Sequence, residues 1–252
     1  MGQPGSPPQV QLLHYRLLFD DPGTHSPWST GQDDAGQGIF MSISIENLEL
    51  LQKNLVDGKM GAWYAELDPS DEIFKVNKKE RKLDVDSLTS HLVQKYVKAG
   101  NNHPAKDFPH LFSQHFPDGV LTYEWSKGMG NNKGLLQVLK DPKVQQARSS
   151  DGKRTGSALL VWIDVFFINQ MAKKVVVELA ISQAYYILCE NHIIAGSFTL
   201  LDRGWCIWEL GLRAYSKKSS LIIGELEAKV WPGCISRNIL ELSKIYFSGA
   251  GV

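Results

Sequence analysis

The segment Leu200–Leu210, Leu-Leu-Asp-Arg-Gly-Trp-Cys-Ile-Trp-Glu-Leu, holds the residues best suited to chemistry. Trp205 and Glu209 stand one helical turn apart, so a helix puts an indole and a carboxylate on one face. An acid beside an indole suits a cationic aromatic ligand. The same pair also reads as a helix-surface glutamate over a core tryptophan, and spacing alone leaves both readings open.

Other candidates are weaker. The loop Gly128-Met-Gly-Asn-Asn-Lys-Gly134 could offer bare backbone N–H groups to an anion. It matches neither the GxxxxGK[ST] loop nor the GxGxxG fingerprint, and a turn is the simpler reading. Gly152–Gly156 precedes a strand and reads as a surface loop. His103, His110 and His115 match no common zinc spacing and have no cysteine nearby, so no metal is expected. Ser126 and Ser182 have no evident histidine and acid to activate them.

Three zones position these residues. Residues 1–40 are rich in Gly, Pro, Ser and Gln and read as a flexible or loosely docked arm, with Val10–Phe19 as a possible docking strand. Residues 41–117 read as a mostly helical amino-terminal extension. One helix is expected over Ile43–Val56, stopped at Asp57-Gly58, and a second is capped by Asp84 or Asp86 and ended by Gly100. The basic cluster Lys75, Lys78, Lys79, Arg81 and Lys82 between them reads as a solvated face. Residues 118–252 alternate between strand and helix signals. Strands are expected at Val120–Trp125, Leu159–Ile168, Ala184–Cys189 and Ser220–Gly224. Helices are expected at Asn132–Leu139, Met171–Gln183, Arg203–Ser216 and Ser236–Lys244. This alternation predicts an α/β domain, a parallel sheet covered by helices on both faces.

Ligands of such a sheet sit beyond the carboxyl ends of its strands. Trp125, Ser126 and Lys127 follow the first expected strand, Asn169 and Gln170 the second, and Glu190, Asn191 and His192 the third.

Composition narrows the class. The chain has 252 residues, 43% hydrophobic and 21% charged, which is enough for a core. Its 27 basic and 27 acidic residues cancel, which argues against a mainly electrostatic nucleic-acid binder. The cysteines Cys189, Cys206 and Cys234 are too few for a disulfide framework and suggest a reducing compartment. Met1–Val10 lacks the pattern of a secretory signal. The longest apolar run, Ala158–Ile168, contains Asp164 and is too short to span a bilayer. The expectation is a cytoplasmic chain with no membrane or nucleic-acid partner.

The run Trp205-Cys-Ile-Trp-Glu-Leu210 resembles the start of the third helix of TIR domains. Val120–Ser126 resembles the first TIR strand, Leu160–Gln170 the second strand and the loop after it, and Ala180–Cys189 the end of the second helix and the third strand. Leu160–Gln170 is also similar to fungal heterokaryon-incompatibility domains. The first strand lacks the family's usual Ser-Phe-Arg-Gly or Ser-Tyr-Ser ending, and the following loop lacks its Gly and Pro pattern.

The resemblance implies a flavodoxin-like, TIR-type parallel sheet over residues 118–252. It implies cleavage of the nicotinamide–ribose bond of NAD⁺, a substrate rather than a cofactor, with Glu209 as the catalytic residue. It also implies self-association into a homo-oligomer and a role in stress or immune signalling. Trp205 and Trp125 would wall the site, and Ser126, Asp164, Asn169 and Gln170 would border the substrate. Arg203 would meet the pyrophosphate, or else pair with Asp202 or Glu209. Asp164 also reads as a strand-end acid satisfied by nearby backbone. The alternatives are a non-catalytic TIR-like homotypic interaction module and an α/β domain that senses a nucleotide.

Overall fold

The computed structural model describes residues 41–71, 82–101, 103–132, 134–146, 158–168, 175–196 and 198–223. The expected strand Val10–Phe19, the expected helix Ser236–Lys244, Asn169, Gln170 and most of the basic cluster lie outside them.

Six strands form one sheet: β1 (Ser42–Ser44), β2 (Phe112–Ser113), β3 (Gly119–Tyr123), β4 (Leu160–Trp162), β5 (Asn191–Ala195) and β6 (Leu221–Ile223), in the order β2-β1-β4-β3-β5-β6. β3 pairs in parallel with β4 and with β5, and β5 with β6. β1 runs antiparallel to both β4 and β2. The sheet is therefore mostly parallel. Taken along the chain, its parallel strands lie in the order second, first, third, fourth, which is compatible with a flavodoxin-like fold.

Helices flank both faces. On β3, Thr122 faces α9 (Gly204–Tyr215) and Tyr123 faces α3 (Ser90–Lys98), because successive strand side chains point to opposite sides. α8 (Val175–Leu188) packs against α9, and its Tyr186 hydroxyl donates to Leu121 O at 2.7 Å. α1 (Ile45–Asp57) packs on α5 (Leu135–Leu139). Short helices complete the chain: α2 (Lys59–Glu66), α4 (Pro104–Asp107), α6 (Pro142–Gln146) and α7 (Asp164–Phe167). One large buried cluster joins Leu48, Leu51, Leu92 and Tyr96 of the amino-terminal zone to Val120, Trp162 and Tyr186.

Several expectations move. Ile43 was placed in a helix, but Ser42–Ser44 is a strand and Ser44 caps α1, its hydroxyl accepting from Asn47 N at 3.1 Å. The zone expected as a helical extension thus adds two strands to the sheet. Thr89, not Asp84 or Asp86, caps α3. Asp84 is held in a local turn with Ser87, and the Asp86 carboxylate takes the Asn132 amide at 2.6 Å. The strand expected over Leu159–Ile168 ends at Trp162, and Asp164 begins α7.

The largest change concerns Ala184–Cys189. Ala184–Leu188 is the last part of α8, and the third parallel strand begins only at Asn191. A short apolar run does not reveal its own period, so a buried helix end reads like a strand. The correction moves Glu190, Asn191 and His192 to the entry of the strand. Its carboxyl end is Ala195-Gly196.

Candidate active site

α9 begins at Gly204, and its first turns lie against β3. Glu209 is 2% exposed, and its Oε2 accepts the Thr122 hydroxyl at 2.6 Å. Trp205, one turn earlier, bonds the same carboxyl, so the shared face read from the spacing is present. The Tyr186 hydroxyl lies beside it from α8 but donates to Leu121 O. Burial, and then the charge of Asp164, push the Glu209 carboxyl up to about 8, against the opposing pull of these hydrogen bonds. The group therefore holds its proton to higher pH than an ordinary glutamate.

Asp164 is the second acid. It is 2% exposed, at the first residue of α7. Its Oδ1 accepts the Tyr123 hydroxyl at 3.0 Å and the Val165 N–H at 2.7 Å, and its Oδ2 accepts the Trp125 indole N–H at 2.8 Å. Burial lifts it to about 6 even so. Backbone satisfies one bond, as the strand-end reading expects, and the remaining capacity fixes two aromatic rings at the end of β3. Ser90 completes this set, its hydroxyl 2.7 Å from that of Tyr123.

Around these acids lie half-exposed groups. Trp125 meets the His91 ring edge-on at 5.5 Å, and Trp205 leans on Trp208 at 4.8 Å. Arg203 makes no ion pair with Asp202 or Glu209 among the described residues. Its charge instead lowers Asp164 and, after burial, helps lower His91. The crevice between β3 and β5, where the strand order reverses, ends in Glu124 and Gly196. A Cβ on Gly196 would stand 2.7 Å from Leu200 and 3.1 Å from the Glu124 carboxylate, so the backbone closes tightly there. Glu124 is 5% exposed, with Lys127 at 3.9 Å.

Ser126 sits exposed on the turn after β3, apart from the bonded cluster. The glycine loop is a packed turn. A Cβ on Gly128 would stand 2.1 Å from Asp86 O, and one on Gly130 would stand 2.3 Å from Asp86 Oδ1. Its Met129 N–H is taken by Leu88 O at 2.7 Å. His103 is buried and caps α4, whereas His110 and His115 are exposed. Among the described residues, no three His, Cys, Asp or Glu side chains gather as a metal site.

Sequence reasoning missed Thr122, Tyr123 and Tyr186. The alternation Val120, Thr122, Glu124 was the available signal for Thr122, because it puts polar groups on a buried sheet face. His192 was named, but at the exit of a strand rather than at its entry.

No protein-family model matches the chain, and neither do any curated protein or solved structure.

Proposed function

We propose that the chain is a TIR-like enzyme that cleaves the nicotinamide–ribose bond of NAD⁺, with Glu209 as the catalytic carboxylate. The observation that carries the reading is a buried acid of raised pKa on the Trp205–Glu209 face of α9. It lies beside the strand that follows the flavodoxin-type order and feels the charge of a second acid, Asp164.

In this reaction the C1′–N bond breaks and its electron pair leaves with nicotinamide, which becomes neutral. Positive charge develops over C1′ and the ring oxygen of the ribose. A Glu209 carboxylate beside the ribose hydroxyls stabilises that charge, and a preorganised site of low polarity makes the stabilisation large. Trp205 walls the ribose, and Trp125, held by Asp164, supplies a second aromatic face. Arg203 carries positive charge to the pyrophosphate side. Water attack gives ADP-ribose and a proton, and adenine attack gives a cyclic isomer. Glu209 is buried and bonded by Trp205, so binding must turn that indole aside. Self-association in the cytoplasm, as in stress or immune signalling by TIR proteins, belongs to the same reading.

The burial of Glu209 also favours a second reading, a non-catalytic homotypic interaction module in which this acid is structural. Purified chain incubated with NAD⁺, beside Glu209→Ala, separates the two. Chromatographic release of nicotinamide by the wild type alone supports the enzyme. No release at any protein concentration, with assembly intact in both proteins, supports the module.

A further inference from the structure

A chain of hydrogen bonds crosses three neighbouring strands and ends on Glu209. Thr122 Oγ1 on β3 lies 2.6 Å from Glu209 Oε2. It also lies 2.8 Å from His192 Nε2 on β5. His192 Nδ1 lies 2.9 Å from the hydroxyl of Ser220, next to β6. Thr122 and His192 are fully buried, whereas Ser220 is exposed. The register aligns them, with His192 beside Val120, two residues before Thr122, and Ile193 beside Leu221.

We infer that Thr122, His192 and Ser220 form a proton relay that carries the Glu209 proton across the sheet to solvent. Every member both donates and accepts, which is what a relay requires. With Glu209 protonated, its O–H donates to Thr122, Thr122 donates to His192 Nε2, His192 Nδ1–H donates to Ser220, and Ser220 donates to water. Each hydrogen then moves one bond along. Glu209 becomes a carboxylate that accepts from Thr122, Nε2 carries the imidazole hydrogen, Nδ1 accepts from Ser220, and water has gained one proton. No imidazolium forms. This suits a ring whose burial, helped by the Arg213 charge, pushes it down to about 3.

Other groups meet Glu209 from each element packed on it: Tyr186 from α8, Trp205 and Cys206 from α9, and the charge of Asp164 from α7. Tyr186 has one hydrogen, and Leu121 O takes it at 2.7 Å. Cys206 is pushed up to about 12 by burial. Among the described residues that bond Glu209, Thr122 is the one whose hydrogen bonds lead on through a second buried group to the exposed Ser220. The catalytic use of the relay rests on the reading proposed above: hydrolysis releases one proton beside Glu209, and the relay removes it. Thr122 and His192 are then positioning residues, not catalytic ones.

Long-range ¹H–¹⁵N spectra of the full chain would read the His192 tautomer against pH, with the signal assigned by its loss in His192→Gln. Carboxyl ¹³C shifts would follow Glu209. The relay requires the ring to stay neutral and its hydrogen to pass from Nδ1 to Nε2 as Glu209 ionises. The tautomer ratio should ignore pH in Glu209→Gln and in Thr122→Val, and follow it again in Thr122→Ser. An imidazolium between about pH 6 and 9, or a fixed tautomer while Glu209 titrates, overturns the relay. NAD⁺ cleavage is scored separately, with Thr122→Val expected to lose about tenfold in rate. A tautomer that switches without cleavage keeps the relay and removes the enzyme reading. Cleavage with a fixed tautomer does the reverse.

Discussion

At the scale of single residues, the site turns on how two buried acids are kept. Asp164 has its oxygens filled by Tyr123, Trp125 and its own helix, so its work is to aim rings. Glu209 has fewer fixed donors, and burial and the Asp164 charge hold its proton to higher pH than an ordinary glutamate. A carboxylate is what stabilises a ribosyl cation, so under the proposed function the rate of cleavage should rise with pH through about 8 and level off above it. Initial rates of nicotinamide release across pH would show this, and a flat profile would remove Glu209 from the charge-stabilising role. Glu209→Gln keeps the shape and the bond to Thr122 but never ionises. It should lose at least about 100-fold in rate on the alkaline plateau, as sites do on losing a charge-stabilising group, and the gap to the wild type should narrow as pH falls.

Elements are held to this site by contacts that the sequence hides in part. Arg213 lies on the expected amphipathic helix, whose period alone does not show where its guanidinium goes. It is 1% exposed, donating to the carbonyls of Tyr186, Cys189, Glu190 and Ser219. The last carbonyls of a helix have no partners within it, and their partial negative charge favours a cation. Lys218 adds a second donor at Leu188 O, 2.9 Å away. Arg213→Met would keep the stem and orphan these acceptors, and should cost about 2 kcal/mol or more. Urea unfolding should show a lower midpoint at unchanged slope. Arg213→Lys should fall between, because an ammonium cannot reach all four acceptors. The same stretch shows why the boundary between α8 and β5 was misread. Ala184–Cys189 is apolar on every side because the helix end is buried, and the polar Glu190 and Asn191 that start the strand resemble a strand exit. Elements with a clear period, α1, α3 and α9, were legible. So was the Trp205–Glu209 face. Three-residue strands such as Ser42–Ser44 leave no period to read, and the partners of Glu209 depended on a register that no single segment contains.

The whole molecule joins its two halves through the site. His103, from the amino-terminal zone, is buried and lies against the backbone at Val165, which follows Asp164. Among the described residues, four buried groups bear on how stability depends on pH, and they oppose each other. Burial lowers His103 and His192 to about 3, from 6.5. The unfolded chain therefore gains protons that the folded chain refuses, and stability falls as pH drops below about 6.5. Asp164 and Glu209 are raised to about 6 and about 8, from 3.8 and 4.5. There the folded chain holds protons that the unfolded chain has lost, so stability falls as pH rises from about 4 to 8. Near pH 4 the histidines dominate and near pH 7 Glu209 does, so the two slopes balance at about pH 6. Thermal melts should place the maximum there, on the acid side of neutrality. Glu209→Gln removes the largest alkaline loss and leaves the histidines in place, so its maximum should move to about pH 7 or above. A wild-type maximum already above neutrality, unmoved in Glu209→Gln, would mean that the carboxyl ionises freely in the folded chain. The buried, protonated Glu209 on which both the site and the relay depend would then be lost.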